Sequence, residues 1–317
     1  MPSIAQNYFP QVVFRNGSKR LWNPIQKQDL KDRPEERVRQ RLIDFLIVSE
    51  SWSQHRLGFE IPIYQKKDGA PVRADLVCYS RDFSPEILIE CKSEKVSLKE
   101  RAAEQIAGYN QHIQAPYLLL TNGLDDLWYD LRKAEQGPAP IENPLPALEP
   151  DSALQRGFKY WSRRGFIGKK AVPEIRRWSL EMLEALQFVN SSASEIHYLS
   201  LRGDLDDLTR SHYYRILPIP DDPQRQIALS VTSTPYGGTR FVMILAGQKG
   251  MQALMAVNLD LLQSGINVNT TLYWHGKPLN FNAKDELPLD IQLEKPIRIE
   301  EFSAAFLEIM SHYATAK

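Results

Sequence analysis

Two neighbouring apolar segments carry charged residues in their interiors, and this pattern constrains the fold more than any other feature of the sequence. Residues 73–77 read Arg-Ala-Asp-Leu-Val, and residues 87–92 read Ile-Leu-Ile-Glu-Cys-Lys. Both segments predict strands of one hairpin. Because residues two apart in a strand share a face, Glu90 and Lys92 point the same way. Ile87, Ile89 and Cys91 point the other way, into apolar packing. Asp75 joins them from the preceding strand, and such a cluster is costly unless its charges pair or bind a metal.

Two carboxylates and an amine on one face fit the metal-dependent hydrolysis of a phosphodiester. Asp75 and Glu90 offer the oxygen ligands that Mg²⁺ prefers. A bound cation lowers the pKa of a bound water and neutralises the charge that builds up on the phosphate. Lys92 is then placed to orient or deprotonate the attacking water, or to hold the scissile phosphate. The pattern leaves open whether one metal binds or two.

The arrangement of Asp75 and Glu90-x-Lys92 resembles the core motif of the PD-(D/E)xK nuclease superfamily. Ala74 stands where the superfamily has proline before the aspartate. The resemblance implies a mixed sheet flanked by helices and a nuclease activity.

The surrounding chain resembles, more specifically, the N-terminal nuclease domain of type I restriction enzyme R subunits. The residues that carry this resemblance are the helical start at 34–40, the pair Gln105-x-x-x-Tyr109, and the segment 116–123, which reads Pro-Tyr-Leu-Leu-Leu-Thr-Asn-Gly. The resemblance covers roughly residues 8–135.

This resemblance implies roles for residues outside the core motif. Gln105 and Tyr109, one turn apart on one helix face, would support the site. Glu36 on the first helix would complete the metal or water network. Glu35 is a rival for that role, because the register of two adjacent glutamates is ambiguous.

The resemblance also implies the cofactor. We expect Mg²⁺, with Mn²⁺ as a substitute, bound by Asp75, Glu90 and the backbone carbonyl of Cys91. We expect no ATP, because the run at residues 165–170 lacks the GxxxxGK[ST] spacing of a P-loop. The expected function is therefore that of a metal-dependent endodeoxyribonuclease, related to the R subunit but without its motor, in restriction or defence.

A second hypothesis belongs to another class of function. The chain could keep the nuclease fold without catalysis and serve as a nucleic-acid-binding or protein-interaction module. The intact Asp75, Glu90 and Lys92 favour the nuclease, because an abandoned site has no reason to retain all three.

The segment between residues 154 and 177 is the second candidate for contact with nucleic acid. It contains eight basic residues against one acidic residue, interleaved with aromatic residues. Basic charge with aromatic rings suits phosphate contact and base stacking. The alternative is a solvated linker with an anchored aromatic cluster. The basic residues that we expect to bind nucleic acid are Arg163, Arg164, Lys169 and Lys170.

Composition narrows the cellular setting. Basic and acidic residues balance at 39 each, so the whole-chain charge neither indicates nor excludes DNA as a partner. Two cysteines argue against a disulfide scaffold or a cysteine-based zinc site. An apolar leader and long apolar runs are both missing, so we expect a cytoplasmic protein without membrane contact. The expected partners are DNA and either a second copy of the chain or subunits of a restriction system.

Length and proline content divide the chain. With 317 residues, two domains are expected. The predicted fold class is α/β: a restriction-endonuclease-like mixed sheet flanked by helices in residues 1–135, then a second α+β domain in residues 178–317. Residues 136–177 are predicted to be a linker, proline-rich and then basic. The second domain shows no motif tied to chemistry, and its predicted elements include a helix near residues 250–263.

Overall fold

The structure, a computed structural model, describes most of the chain. The described residues are 1–48, 52–65, 71–132, 138–145, 156–188, 196–200, 211–265, 269–286, 293, 295 and 297–315. They form two compact units: Met1–Gln11 with Arg20–Gln155, and Val12–Lys19 with Arg156–Lys317. Within the described part of the chain, no helix is long and apolar enough to cross a membrane.

The first unit is built on a six-stranded sheet. A smaller three-stranded sheet precedes it in the chain. The strands of the smaller sheet are β1 (Val12–Arg15), β2 (Ser18–Asn23) and β3 (Gln28–Lys31). The strands of the larger sheet, in spatial order, are β4 (Leu57–Gln65), β5 (Pro71–Tyr79), β6 (Pro85–Cys91), β7 (Tyr117–Thr121), β8 (Asp126–Asp130) and β9 (Ala139–Ile141). Only β6 and β7 run parallel within it, so the sheet is mixed, as predicted.

Two helices cover the two faces of this sheet. Helix α1 (Pro34–Val48) contributes Val38, Leu42 and Phe45 to an apolar cluster that also contains Ile89. Helix α2 (Glu100–Ile113) contributes Ala103 and Ile106 to a second cluster, with Leu88, Leu118 and Leu120. Neighbouring residues of β6 thus belong to opposite clusters, which is the alternation that a strand buried on both faces requires. A short 3₁₀ turn, Gln54–Arg56, lies between α1 and β4.

Strand β4 is irregular at Glu60. This residue has a φ of +49°, which non-glycine residues rarely adopt. Phe59 pairs with Leu76 and Ile61 with Ala74, so β4 keeps its register with β5 on both sides of Glu60. Phe59 packs in the cluster of α1, whereas Ile61 packs in the cluster of α2. The strand therefore changes the face that it presents at Glu60.

The chain after residue 135 differs from the predicted linker. Ala139–Ile141 pairs with β8 as the edge strand of the sheet. Proline is tolerated there, because an edge strand need not donate on its outer side. Residues 156–188 are also folded, with Trp161, Phe166 and Trp178 fully buried. Pro146 and Pro150 lie outside the described residues.

The second unit is dominated by a seven-stranded sheet in which sequential strands are neighbours. All of its pairings are antiparallel. The strands are β10 (Ile196–Ser200), β11 (Ser211–Ile219), β12 (Asp222–Ser233), β13 (Thr239–Gly247), β14 (Gly250–Asn258), β15 (Asn269–Trp274) and β16 (Lys277–Asn282). The helices are α3 (Phe158–Arg163), α4 (Pro173–Ala185), α5 (Leu259–Gln263), α6 (Ala283–Glu286) and α7 (Ile299–Thr315).

The helix predicted near residues 250–263 is wrong over most of its length. Residues 250–258 form strand β14, and only the last five residues of the range are helical. Methionine, alanine and leucine favour helices in isolation. Strand β14 lies between β13 and β15, however, and its Leu254 and Met255 are buried. Pairing and burial on both sides override the local preference.

Candidate active site

The register of the central hairpin brings Asp75 and Glu90 together. Strands β5 and β6 pair as far as Leu76 and Ile89, and Asp75 and Glu90 are the next residues outward. The carboxylate of Asp75 reaches across, and its Oδ2 accepts a hydrogen bond from the backbone amide of Cys91 at 2.7 Å. At the open end of the hairpin, a side-chain carboxylate thus accepts the hydrogen bond that a backbone carbonyl would accept in a regular ladder.

Lys92 completes the predicted trio. Its Nζ donates to Oε1 of Glu90 at 2.6 Å, and its backbone amide donates to the carbonyl of Thr121. The Lys92 side chain is 35% exposed, so the ammonium is accessible from solvent. Burial lowers the pKa of Lys92, but the hydrogen bond and charge of Glu90 outweigh it, and the net pKa is raised. The amine therefore stays protonated at neutral pH.

Helix α1 adds a second layer of charge. Arg39 Nη2 lies 2.9 Å from Oδ1 of Asp75, and Arg39 Nη1 lies 3.4 Å from Oε2 of Glu36. Gln40 donates to Oε1 of Glu36 at 2.8 Å. Glu36 is buried and Glu35 is exposed. Of the two adjacent glutamates, the structure thus places Glu36 in the site.

Arg39 was given no role from the sequence, although it contacts three carboxylates of the cluster. Besides Asp75 and Glu36 it contacts Oε1 of Glu60 at 3.2 Å, and its guanidinium lies 4.9 Å from the ring centre of Phe59. The signal was present: Arg39 follows Glu36 by three positions, so both occupy one face of α1. Glu60 carried no such signal, because its place depends on the irregularity in β4.

Burial raises the pKa of all three central carboxyls. For Asp75 and Glu36, burial outweighs the opposing charge of Arg39. For Glu90, burial and the charge of Asp75 both raise the pKa, against the hydrogen bond from Lys92. Burial thus disfavours the ionised form of these carboxyls, and a nearby cation would favour it.

The donor set fits a hard divalent cation. Among the residues that the structure describes, no group of three or more Asp, Glu, His or Cys side chains is arranged to hold a metal ion, so a cation at this site would have two carboxylates as its side-chain ligands. A cation here would take carboxylate oxygens from Asp75 and Glu90, the carbonyl of Cys91, and water, a combination typical of Mg²⁺. Each oxygen of Asp75 already accepts one donor, from Arg39 or Cys91, and retains a second lone pair.

Gln105 and Tyr109 both lie on α2, the helix that packs against β4, β6 and β7. The Gln105 side chain lies outside the described residues, and the Tyr109 side chain is half-buried. Their supporting role stays a prediction.

The basic segment separates into surface and core. The side chains of Arg163, Lys169 and Lys170 are exposed, as phosphate contacts require. Arg164 differs from the prediction: it is 7% exposed, and its guanidinium lies 3.7 Å from the ring centre of Tyr160. Arg164 is therefore part of the packing of the second unit and is not available to phosphate.

Two aromatic residues of this segment belong to the core. Trp161 and Phe166 are buried and pack edge to face at 5.0 Å between ring centres. Neither ring can stack on a base. The alternative for this segment was a solvated linker with an anchored aromatic cluster: the cluster is present, but the segment is folded and contains two helices.

Comparison with known proteins identifies the part of the chain that contains the site. Residues 34–146 match the family described as Type I restriction enzyme R protein N terminus (HSDR_N). The matched range includes α1, both charged strands and α2. No curated protein and no solved structure matched the chain. The match covers a little over a third of the 317 residues, and over that range the chain carries a restriction-enzyme-like domain.

Proposed function

We propose that the first unit is a metal-dependent DNA endonuclease of the PD-(D/E)xK type, acting in restriction or defence. The observation that carries the proposal is the meeting of Asp75, Glu90 and Lys92 at the open end of the β5–β6 ladder. This cluster lies inside the range that matches the restriction R protein family.

The carboxylates of Asp75 and Glu90, with the carbonyl of Cys91, would hold Mg²⁺, and Mn²⁺ would substitute for it. When bound, such a cation supplies Lewis-acid chemistry, lowering the pKa of its water and neutralising charge on the phosphate. The raised pKa of Lys92 supports a charged ammonium. Lys92 would therefore hold a phosphate oxygen or orient the attacking water rather than remove its proton.

Helix α1 has a positioning role in this proposal. Arg39 holds Oδ1 of Asp75 while the amide of Cys91 holds Oδ2, so the carboxylate is fixed in direction before substrate arrives. Glu36 contacts Arg39 and Gln40 and keeps the guanidinium in place. On α2, Gln105 and Tyr109 would support the site from the helix that packs against β6.

The exposed cations of the second unit would contribute to DNA affinity. Arg163, Lys169 and Lys170 are the surface members of the predicted set. Each phosphate contact adds to affinity irrespective of sequence and weakens with salt. DNA is the proposed partner, together with a second copy of the chain or subunits of a restriction system.

One observation favours the second candidate, a binding module without catalysis. Both oxygens of Asp75 are already engaged within the chain, by Arg39 and by Cys91. A nuclease fold that had lost its metal would need such internal donors to compensate the buried carboxylate. The two candidates differ in whether divalent metal binds and whether DNA is cut.

A cleavage assay with matched variants tests the proposal. Supercoiled and linear DNA would be incubated with purified protein in Mg²⁺, in Mn²⁺ and in chelator. We expect Glu90→Gln and Lys92→Ala to lower the cleavage rate by about a hundredfold or more, because each removes charge from the reacting centre. Glu94→Gln and Lys95→Ala are the controls. Glu94 pairs with Arg41, Lys95 is exposed, and both variants should cleave like wild type.

Three results discriminate the candidates. Metal-dependent cleavage that is lost in the site variants and kept in the controls supports the nuclease. Cleavage by Glu90→Gln at the wild-type rate refutes the assigned site. DNA binding without cleavage in any metal, unchanged by Glu90→Gln, supports the binding module.

A further inference from the structure

The second unit contains a cavity of about 440 Å³ outside the proposed metal site, and one of the proposed DNA contacts, Lys170, lines it. It is lined by Lys170, Arg240, Asp260 and Tyr236, together with the glycine pair Gly237 and Gly238. Its volume falls within the roughly 300–1,000 Å³ typical of pockets for small ligands.

Three glycines allow the walls of this cavity to approach each other. A Cβ on Gly168 would lie 2.2 Å from the carbonyl oxygen of Gly237, so the two backbones touch at that point. Gly237 has a φ of +93°, and a Cβ on it would meet the Lys170 side chain at 3.3 Å. A Cβ on Gly238 would lie 2.9 Å from Oδ2 of Asp260. Larger residues at these positions would displace the walls and fill the space beside Lys170.

Hydrogen bonds fasten the same walls. The amide of Gly168 donates to Oγ1 of Thr239 at 2.8 Å, and the amide of Lys170 donates to the carbonyl of Gly237 at 3.4 Å. The amide of Thr239 donates to Oδ2 of Asp260 at 2.8 Å. Three backbone amides thus hold the walls of the pocket, with the Thr239 hydroxyl, the Asp260 carboxylate and the Gly237 carbonyl as their acceptors.

The charge of the lining favours an anion. Lys170 and Arg240 are cationic, and Asp260 is the one acidic residue. One oxygen of Asp260 is already committed to the amide of Thr239, which partly offsets its charge. A phosphate group placed between Lys170 and Arg240 would form charge-assisted hydrogen bonds.

Tyr236 adds a feature that a simple anion would not need. Its side chain is 88% exposed and lines the pocket. An exposed aromatic ring beside two cations is the combination that holds a nucleotide, with the base stacked on the ring and the phosphate on the charges.

We infer that this pocket binds a nucleotide, with Tyr236 as the stacking surface and Lys170 and Arg240 as the phosphate contacts. The nucleotide is either a free nucleoside phosphate or one residue of a single strand, since both offer the same base and phosphate. The pocket lies wholly in the second unit, so nucleotide binding there and cleavage by the first unit can fail separately.

Binding to the full chain in chelator tests this inference without interference from metal-dependent cleavage. The probes are deoxynucleoside monophosphates and inorganic phosphate in calorimetric titrations, and a labelled single strand of about ten nucleotides in fluorescence anisotropy. The variants are Tyr236→Ala, Tyr236→Phe and Lys170→Ala. The control is Lys249→Ala, which removes the same charge from an exposed turn that does not line the pocket.

We expect Tyr236→Ala to weaken nucleotide binding roughly five- to a hundredfold, the range for loss of a stacking partner, while Tyr236→Phe binds like wild type. Lys170→Ala should weaken binding at least about fivefold. For the single strand it should also make the salt dependence shallower by roughly 0.7 in log K against log salt. Lys249→Ala should change neither quantity. Thermal melting verifies that Tyr236→Ala, an exposed position, remains folded.

The outcomes separate the sources of the nucleotide. Binding of monophosphates with this pattern of variants supports a free nucleotide, and binding of the single strand alone with the same pattern supports a strand. Equal binding of inorganic phosphate and nucleotides, insensitive to Tyr236→Ala, overturns the inference. It is also overturned if none of the probes binds, or if Lys170→Ala and Lys249→Ala behave alike.

Discussion

Replacement of Arg39 by methionine should destabilise the first unit in the absence of metal. Methionine keeps an unbranched apolar side chain of similar reach and removes only the guanidinium. Asp75 and Glu36, whose side chains are 18% and 11% exposed, then lose their counter-ion. Removing one partner of a buried ion pair costs about 3–5 kcal/mol, and the partial exposure of Asp75 places our expectation near about 3 kcal/mol. For a unit of this size the loss lowers Tm by roughly 6–12 °C.

Divalent metal should recover part of this loss. With Arg39 gone, the buried carboxylates of Asp75 and Glu36 lack their counter-ion, so the charge of a bound Mg²⁺ should raise the Tm of Arg39→Met more than that of wild type. A ligand at about a hundred times its Kd adds about 2.7 kcal/mol to the stability of the state that it binds. The measurement is a thermal melt of both proteins in chelator and in excess Mg²⁺.

Arg73→Met is the matched control for this experiment. Arg73 also pairs with the cluster, at 3.3 Å from Glu60, but its side chain is 49% exposed. Its loss should cost at most about 1 kcal/mol, with no change in the response to metal. A metal-free Tm of Arg39→Met within about 2 °C of wild type would show that the guanidinium is not the counter-ion of the cluster. If Mg²⁺ raises the Tm of Arg39→Met and the Tm of wild type by the same amount, metal binding at Asp75 is excluded.

Three further predictions concern separate parts of the chain. Because the folded-state pKa of Glu90 is raised above the ordinary 4.5, its ionised form costs stability at neutral pH. Glu90→Gln should therefore raise the metal-free Tm at pH 7, and this gain should fade as pH falls through the raised pKa towards 4.5, as a series of melts would show. Gly168→Ala should cost about 1–3 kcal/mol in chemical denaturation because its Cβ would overlap a backbone carbonyl, whereas Gly108→Ala, in an exposed stretch of helix with nothing within 4 Å, should be neutral or stabilising by about 1 kcal/mol. For the double variant Arg163→Ala and Lys169→Ala, the slope of log K against log salt for duplex DNA should become shallower by up to about 2. An unchanged slope would show that this surface does not contact DNA.

Local pattern was enough to predict the strands and helices around the site. The alternation in residues 87–91 specified which side chains face the core, and Ile87, Ile89 and Cys91 are buried together as expected. Strand β14 was beyond the reach of such reasoning. Its methionine, alanine and leucine residues favour a helix alone, and only pairing with β13 and β15 makes it a strand. That pairing is a property of the whole sheet and leaves no trace in a short window of sequence.

The charged residues show the same limit. Strand geometry was enough to group Asp75, Glu90 and Lys92, because the first two lie in the strands of one hairpin and Lys92 directly follows the second strand. Arg39 could not be assigned to Asp75, because the contact requires α1 to pack on the sheet in one particular register. Composition made Arg164 look like a surface cation, but cation–π packing on a neighbouring ring buries it. A count of basic residues cannot separate these two environments.

The site lies where the pairing between β5 and β6 stops, and this accounts for the way Asp75 is held. The pairing of β5 with β6 ends at Leu76 and Ile89. The amide of Cys91 therefore donates to the carboxylate of Asp75 in place of a backbone carbonyl. Asp75 consequently has two roles. Its Oδ2 accepts the hydrogen bond that links β5 to β6, and its Oδ1 carries negative charge next to Arg39. Removing the whole side chain would change both at once. Asp75→Asn retains an acceptor for the Cys91 amide and removes only the charge, so loss of cleavage in that variant would show that the charge is needed for the reaction. Loss of cleavage in Asp75→Ala could come equally from the lost charge or from the lost hydrogen bond that links the two strands.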